Sequence, residues 1–137
     1  MISARNQLKG TITSIDKGAV NAIVKLSVAN GLTISSTISL DAVNDLKLTE
    51  GKEATAIIKA TSVMIGLGDL KLSARNQLPG KIVEIEEGAV NAIVKLQIAD
   101  DVIISSTISM SAVKELGLAA GKEAKAVIKA TSVMVGA

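Results

Sequence analysis

The clearest pattern in the chain begins at residue 20. Val20, Ala22, Val24, Leu26 and Val28 alternate with Asn21, Ile23, Lys25 and Ser27. A period of two marks a strand, because successive side chains point to opposite faces. Asn30-Gly31 follows, a strong hairpin signal. Leu32, Ile34, Ser36 and Ile38 then resume the alternation. Leu40, Val43 and Leu46 are spaced by three, which predicts a short helix; Ser39 or Asp41 can cap its start, and Gly51 follows its end. A further strand is predicted from near Glu53, carrying Ala54, Ala56 and Ile58, and an earlier one from near Asn6, carrying Leu8 and Ile12.

The whole pattern then occurs a second time. Residues 3–10 read SARNQLKG and residues 73–80 read SARNQLPG, and the offset of 70 holds without a gap to residue 137. Aligned position by position, 3–67 and 73–137 share 42 of 65 residues. Two copies are too few for a solenoid, and each is the size of a small domain. The expectation is therefore two domains, 1–67 and 71–137, joined by a linker at 68–70. The copies differ at two telling places. Asp100-Asp101 replaces Asn30-Gly31, so the hairpin turns are expected to differ, because Asp101 lacks the freedom of glycine at positive φ. Pro79 replaces Lys9, which suggests a strand start or edge there. Each half is mainly β with one short helix between its third and fourth strands. The predicted architecture is two tandem OB-like five-stranded β-barrels.

Composition narrows the chemistry. The chain has no Cys, His, Phe, Trp or Tyr. A disulfide framework, a thiolate nucleophile and the usual zinc, haem and copper sites are excluded. The usual triad base is missing. No general base stands beside an obvious nucleophile, so an enzyme is not expected. A carboxylate-only cation site survives in principle, and Glu84, Glu86 and Glu87 are its one imaginable cluster. The first copy has Ser14, Asp16 and Lys17 in their place, which speaks for solvated turn charges instead. Met64 and Met134 lie among apolar residues and read as packing rather than thioether ligands.

Partners are narrowed too. Fifteen Lys+Arg against 13 Asp+Glu leave a net charge of +2. With no stacking aromatics either, an OB-fold nucleic-acid binder is the alternative and not the leading reading. The hydrophobic fraction is 48% and the mean hydropathy +0.46, yet no apolar run approaches the ~20 residues of a membrane span. Arg5, Asn6 and Gln7 interrupt any basic-then-apolar leader, so the cytoplasm is the default compartment. A unit of this size with an aromatic-free core buries little area, and oligomerisation is expected to supply further stability.

Two polar clusters stand beside predicted strands and are identical between copies. One is Ser3, Ala4, Arg5, Asn6 and Gln7, repeated as Ser73, Ala74, Arg75, Asn76 and Gln77. The other is Lys59, Ala60, Thr61 and Ser62, repeated as Lys129, Ala130, Thr131 and Ser132. Their side chains donate hydrogen bonds, and neither cluster holds Asp or Glu. The small side chains of Ala4 and Ala60 leave backbone N–H groups unobstructed. Such a set suits a fully deprotonated tetrahedral oxyanion, which only accepts; partly protonated phosphate would also ask for an acceptor. Strand-end residues that cap turns are the plain alternative, and recent duplication alone would explain the identity.

The sequence resembles the molbindin (Mop) family of small cytoplasmic molybdate-binding proteins, in its two-domain form. The carriers are SARNQLKG and SARNQLPG, with GAVNAIVKL, ISSTIS and IKATSVM in both copies. The resemblance spans essentially the whole chain. It implies Mop/TOBE-like OB domains, a homotrimer, no cofactor and no membrane partner. It also implies molybdate or tungstate bound where a SARN segment and a KATS segment from neighbouring domains or chains close on one anion. Ser3, Arg5, Lys59, Ala60 and Thr61 are the expected ligands in the first copy, with Ser73, Arg75, Lys129, Ala130 and Thr131 in the second. Ser62 and Ser132 can add hydroxyls. The family has further sites near a threefold axis; Asn21 and Asn91 are the candidates there, with outward strand residues as the equal alternative. Such domains also occur fused to transporters and regulators, so an oxyanion-sensing module is the alternative to molybdenum storage and homeostasis. No P-loop and no room for a helix-turn-helix are present, which favours a stand-alone protein.

Overall fold

In a computed structural model, described for residues 1–29 and 31–137, the first copy opens with three strands, a short helix and a fourth strand. They are β1 (Asn6–Lys17), β2 (Asn21–Ala29), β3 (Leu32–Ser39), the helix α1 (Leu40–Asp45) and β4 (Glu53–Ile58). A 3-10 turn, Ala60–Ser62, and the short strand β5 (Met64–Gly66) follow. The second copy repeats the order as β6 (Asn76–Glu87), β7 (Asn91–Ala99), β8 (Val102–Ser109), α2 (Met110–Glu115), β9 (Glu123–Ile128), a 3-10 turn Ala130–Ser132 and β10 (Met134–Gly136). The predicted strands and helices stand where the periodicity placed them.

The strands form two five-stranded antiparallel sheets, ordered β10-β4-β1-β2-β3 and β5-β9-β6-β7-β8. β1 reaches both neighbours by serving them in turn. Asn6–Thr11 pair with β4, and Thr11–Lys17 pair with β2. The strand bends where the two pairings meet, at a bulge between Ile12 and Ser14. Gly10 permits the close approach there, since a Cβ on it would stand 2.5 Å from the Ser27 carbonyl oxygen. Gly80 meets the Gln97 carbonyl in the same way. Pro79 is the fourth residue of β6 rather than its start. It pairs with Lys125 of β9, while pairing with β7 begins only at Lys81, so the strand is an edge on that side at Pro79.

Two compact units result, and their boundaries cut across the sequence repeat. Unit 1 comprises Met1–Ile58 and Lys129–Ala137; unit 2 comprises Lys59–Ile128. The KATS segment and last strand of each repeat therefore complete the unit built mainly from the other repeat. The expected split at 67/71 describes the repeat in the sequence, and the compact units are divided at 58/59 and 128/129. In unit 1, β10 pairs with β4 through Met134–Ile57, Val135–Ala56 and Gly136–Thr55. In unit 2, β5 pairs with β9 in the same register.

The core follows the period-two pattern. Ile12, Val24, Leu26, Ile34, Ala56 and Ile58 are buried in unit 1, and Ile82, Val94, Leu96, Ile104, Ala126 and Ile128 in unit 2. Val20 and Val90 break the expected alternation. Each precedes its strand, and each is 73% exposed while its carbonyl accepts from Leu40 or Met110 N–H. Ser36 and Ser106 are buried among the apolar side chains. Ser36 Oγ donates to the Val133 carbonyl at 2.5 Å, and Ser106 Oγ donates to that of Val63. These bonds tie β3 and β8 to the segments that follow the KATS turns.

Ser39 caps α1, its Oγ accepting from Ala42 N–H at 3.1 Å, and Ser109 caps α2 likewise. Both helices end six residues before Gly51 or its counterpart Gly121. Leu48 N–H donates to the Val43 carbonyl and Lys47 N–H to that of Asn44, a Schellman closure with Lys47 at φ 53°. The second copy places Gly117 there, at φ 61°. Gly51 instead turns the chain into β4, at φ 87° with its N–H on the Ile12 carbonyl. Lys52 Nζ reaches the Leu46 carbonyl at 2.8 Å, and Lys122 Nζ that of Leu116 at 2.9 Å, so each helix C-terminus also receives a cation. The Asn30 half of the predicted hairpin signal lies outside the described residues. Gly31 has φ 78°, whereas Asp101 is not in the positive-φ region, so the two turns do differ.

Candidate functional site

The SARN segment of the first copy lies where β1 starts. Asn6 pairs with Ile58, the last residue of β4. On the other flank of β4, Met134 pairs with Ile57. The sheet order thus brings Ser3–Asn6 and Lys129–Ser132 to one end of unit 1, with one strand between them. Two strand spacings correspond to about 10 Å. Unit 2 repeats the arrangement, with Asn76 opposite Ile128 and Met64 opposite Val127. There Ser73–Asn76 share an end with Lys59–Ser62. Within each compact unit the SARN segment thus shares an end with the KATS segment of the other repeat, while Lys59 and Lys129 follow directly on Ile58 and Ile128, the strand partners of Asn6 and Asn76.

The side chains divide into exposed donors and buried supports. Ser3, Arg5, Lys129 and Thr131 are exposed, as are Ser73, Arg75, Lys59 and Thr61. Ser62 and Ser132 are half-buried. Ala60 and Ala130 are buried at 7% exposure, because each opens its 3-10 turn against the sheet. Within the turns, Ser62 N–H donates to the Lys59 carbonyl and Val63 N–H to that of Ala60; the second copy does the same. The turn itself leaves the N–H groups of Ala60, Thr61, Ala130 and Thr131 over. Asn6 and Asn76 are only 2% exposed and already have partners, so they support the segment from below.

Charge at the site is one-sided. Among the described residues, the ion pairs join Lys95 Nζ to Glu84 (3.7 Å) and Glu86 (3.6 Å), across β6 and β7. Arg5, Arg75, Lys59 and Lys129 take part in neither. The Lys95 pairing also accounts for Glu84 and Glu86 of β6. Among the described residues, no group of Asp and Glu is placed to hold a metal ion. An open cavity of about 680 Å³ in unit 1 lies over Gln7, Lys9, Thr55 and Ile57, and neither donor segment contributes Ser3, Arg5 or Lys129 to its lining. No helix among the described residues is long and apolar enough to cross a membrane.

Asn21 and Asn91 stand elsewhere. Each is exposed and opens the second strand of its unit, at the far end of β1 or β6 from the SARN segment. Their carbonyls accept from Gly18 and Gly88 N–H and close the preceding turn. Gln7 and Gln77 belong to the SARN clusters but were not among the expected ligands. Gln7 Nε2 donates to the carbonyls of Ile2 (3.1 Å) and Ala4 (2.9 Å), and Gln77 Nε2 to those of Leu72 (3.2 Å) and Ala74 (3.1 Å). Their repetition inside SARNQ was the available signal.

The TOBE domain family matches residues 2–65 and 72–135. The chain belongs to that family and, within it, to the molbindins with two Mop domains in one chain. A "Molybdenum transport protein ModE" from Herbaspirillum seropedicae is 38% identical over 135 residues, 97% of this chain and 50% of the relative. The chain thus spans about half the length of that protein. A "Probable molybdenum-pterin-binding protein" from Haemophilus influenzae is 64% identical over 67 residues, 49% of this chain and 97% of the relative. Among solved structures, the cytoplasmic molybdate-binding protein ModG, in a form with molybdate bound, superposes with a TM-score of 0.95 at 42% identity. That likeness covers 98% of this chain and 97% of ModG.

Proposed function

We propose that this chain binds molybdate, and tungstate of nearly equal size and charge, for intracellular molybdenum storage and homeostasis in the cytoplasm, without chemistry. The observation that carries the reading is the gathering, within each unit, of a SARN and a KATS segment that offer only donors and no carboxylate. The likeness to molybdate-bound ModG over nearly the whole chain supports the choice of oxyanion. Arg5 with Lys129, and Arg75 with Lys59, supply the charge-assisted bonds. Ser3, Thr131 and Ser132, with Ser73, Thr61 and Ser62, supply hydroxyl donors, and backbone N–H groups of the same segments complete a set that a protonated anion fits less well. Assembly into a homotrimer is part of this reading. The exposed Val20, Val90, Met64 and Met134 are apolar area that subunit contacts would cover.

Equilibrium dialysis with elemental analysis tests the proposal. Molybdate retained at micromolar free concentration, with phosphate unable to displace it, is the expected result; no retention would sink it. Sedimentation equilibrium tests the assembly, with three chains expected and a monomer contradicting it. A second reading, an oxyanion-sensing module, is favoured by the match to half of the ModE protein. It predicts a large change in compactness on binding, measurable by small-angle scattering, where storage predicts little.

A further inference from the structure

We infer that Gln7 and Gln77 are positioning residues that aim the backbone N–H groups of the SARN segments at the bound oxyanion. The inference rests on the proposed function and concerns how its site is built.

The argument starts from the amide of Gln7. Its NH2 group has two donors, and both are used on the same short loop, on the carbonyls of Ile2 and Ala4. A peptide unit is planar and trans, so its C=O and N–H point in opposite directions. The chain has no cis peptide bond. Drawing the Ile2 carbonyl toward Gln7 therefore turns the N–H of Ser3 away from it. Drawing the Ala4 carbonyl inward turns the N–H of Arg5 away in the same sense. One side chain thus directs two backbone donors to a common side. It also keeps two carbonyl oxygens, which would repel an anion, off that side. Gln77 does the same for Ser73 and Arg75 through Leu72 and Ala74.

The loop gains order from the same contacts. Residues 1–5 precede the first strand and have no ladder of their own. A segment without such ties would have to be ordered at the moment of binding, which weakens affinity. The glutamine makes that ordering part of folding. Gln7 and Gln77 themselves need not touch the anion.

The test uses the full chain carrying both Gln7→Met and Gln77→Met, which keep the side-chain length and remove the donors. Backbone 15N order parameters are measured for Ser3–Arg5 and Ser73–Arg75 without anion, and the dissociation constant is measured with sodium molybdate. The expected result is lower order parameters in both loops and affinity weakened about tenfold, as for the loss of well-aimed bonds to a charged group. Unchanged affinity overturns the inference, and so does weakened affinity with loops as rigid as before. If the substituted chain does not fold, Gln7→Asn with Gln77→Asn, one methylene short of the same carbonyls, takes its place with the same two readouts. Failure of the parent reading looks different: the unsubstituted chain then retains no molybdate. In that case sulfate and tungstate replace it as probes, and no oxyanion response in these loops overturns the inference as well.

Discussion

Ser36→Ala is the sharpest perturbation the structure offers, because it removes one oxygen atom from the centre of unit 1. Ser36 is fully buried, and Val133, whose carbonyl it serves, is 1% exposed. Water cannot replace the lost donor. The net worth of an ordinary hydrogen bond is about 1 kcal/mol, but an orphaned buried carbonyl costs about 1–3 kcal/mol. Alanine adds no clash, so about 2 kcal/mol of destabilisation is expected. For a unit of this size that corresponds to a drop in melting temperature of about 8–16 °C. Ser106→Ala, acting on Val63 in unit 2, should cost a similar amount. The assay must be far-UV circular dichroism or calorimetry, since a chain with no Phe, Trp or Tyr has no aromatic signal to follow. Thr33→Ser, at an exposed position of the same strand, is the control and should stay within about 0.5 kcal/mol. The bond also holds the residue that follows Thr131 and Ser132, so molybdate affinity should fall along with stability. A Ser36→Ala chain that melts within the range of the control would refute the reasoning that this hydroxyl anchors the segment from the other repeat.

Three further outcomes are expected. Lys47→Gly should stabilise by about 0.5–1 kcal/mol, because Lys47 holds the left-handed conformation that the second copy gives to Gly117, while Gly117→Ala should destabilise by about 1 kcal/mol; urea midpoints of the two variants shifting the same way would contradict this. Arg5→Ala and Lys129→Ala should each weaken molybdate binding with the fold retained, and their effects should be non-additive by at least about 0.5 kcal/mol if, as proposed, the two residues serve one anion; strict additivity in a titration-based double-mutant cycle would separate them into different sites. Gly10→Ala should cost about 1–3 kcal/mol, because its Cβ meets the Ser27 carbonyl, which is backbone and cannot swing aside; thermal unfolding at the wild-type midpoint would show that the bend of β1 is not so tightly set.

Local physics made much of the fold legible from the residues. Ala22, Val24 and Leu26 alternate because one face of β2 packs inward, and side-chain direction in a strand has a period of two. Ser39 reads as a helix cap because its hydroxyl competes for the first free N–H groups, and it does cap α1. The strands, the hairpins and the short helices follow from signals within a dozen residues, and the repeat from comparing segments 70 residues apart. The donor character of SARN and KATS is likewise a property of the residue types themselves.

Tertiary structure decided everything that depends on who packs against whom. Val20 matches the alternation, yet it lies outside, since burial is set by the neighbour across the face and not by the period alone. Gly51 reads as a helix terminator, but Lys47 takes that place, because the Schellman bonds form wherever the chain must turn back toward Val43. Gln7 reads as one more polar residue until its two carbonyl partners are seen. Above all, two copies with 42 of 65 residues in common present nearly identical edges to the strands β4 and β9, so either last strand could complete either sheet on sequence grounds. The donor chemistry of the candidate site is therefore a property of the sequence. Which Lys129–Ser132 or Lys59–Ser62 joins which SARN segment within a unit was decided only by strand pairing between residues far apart in the chain, which no local pattern encodes.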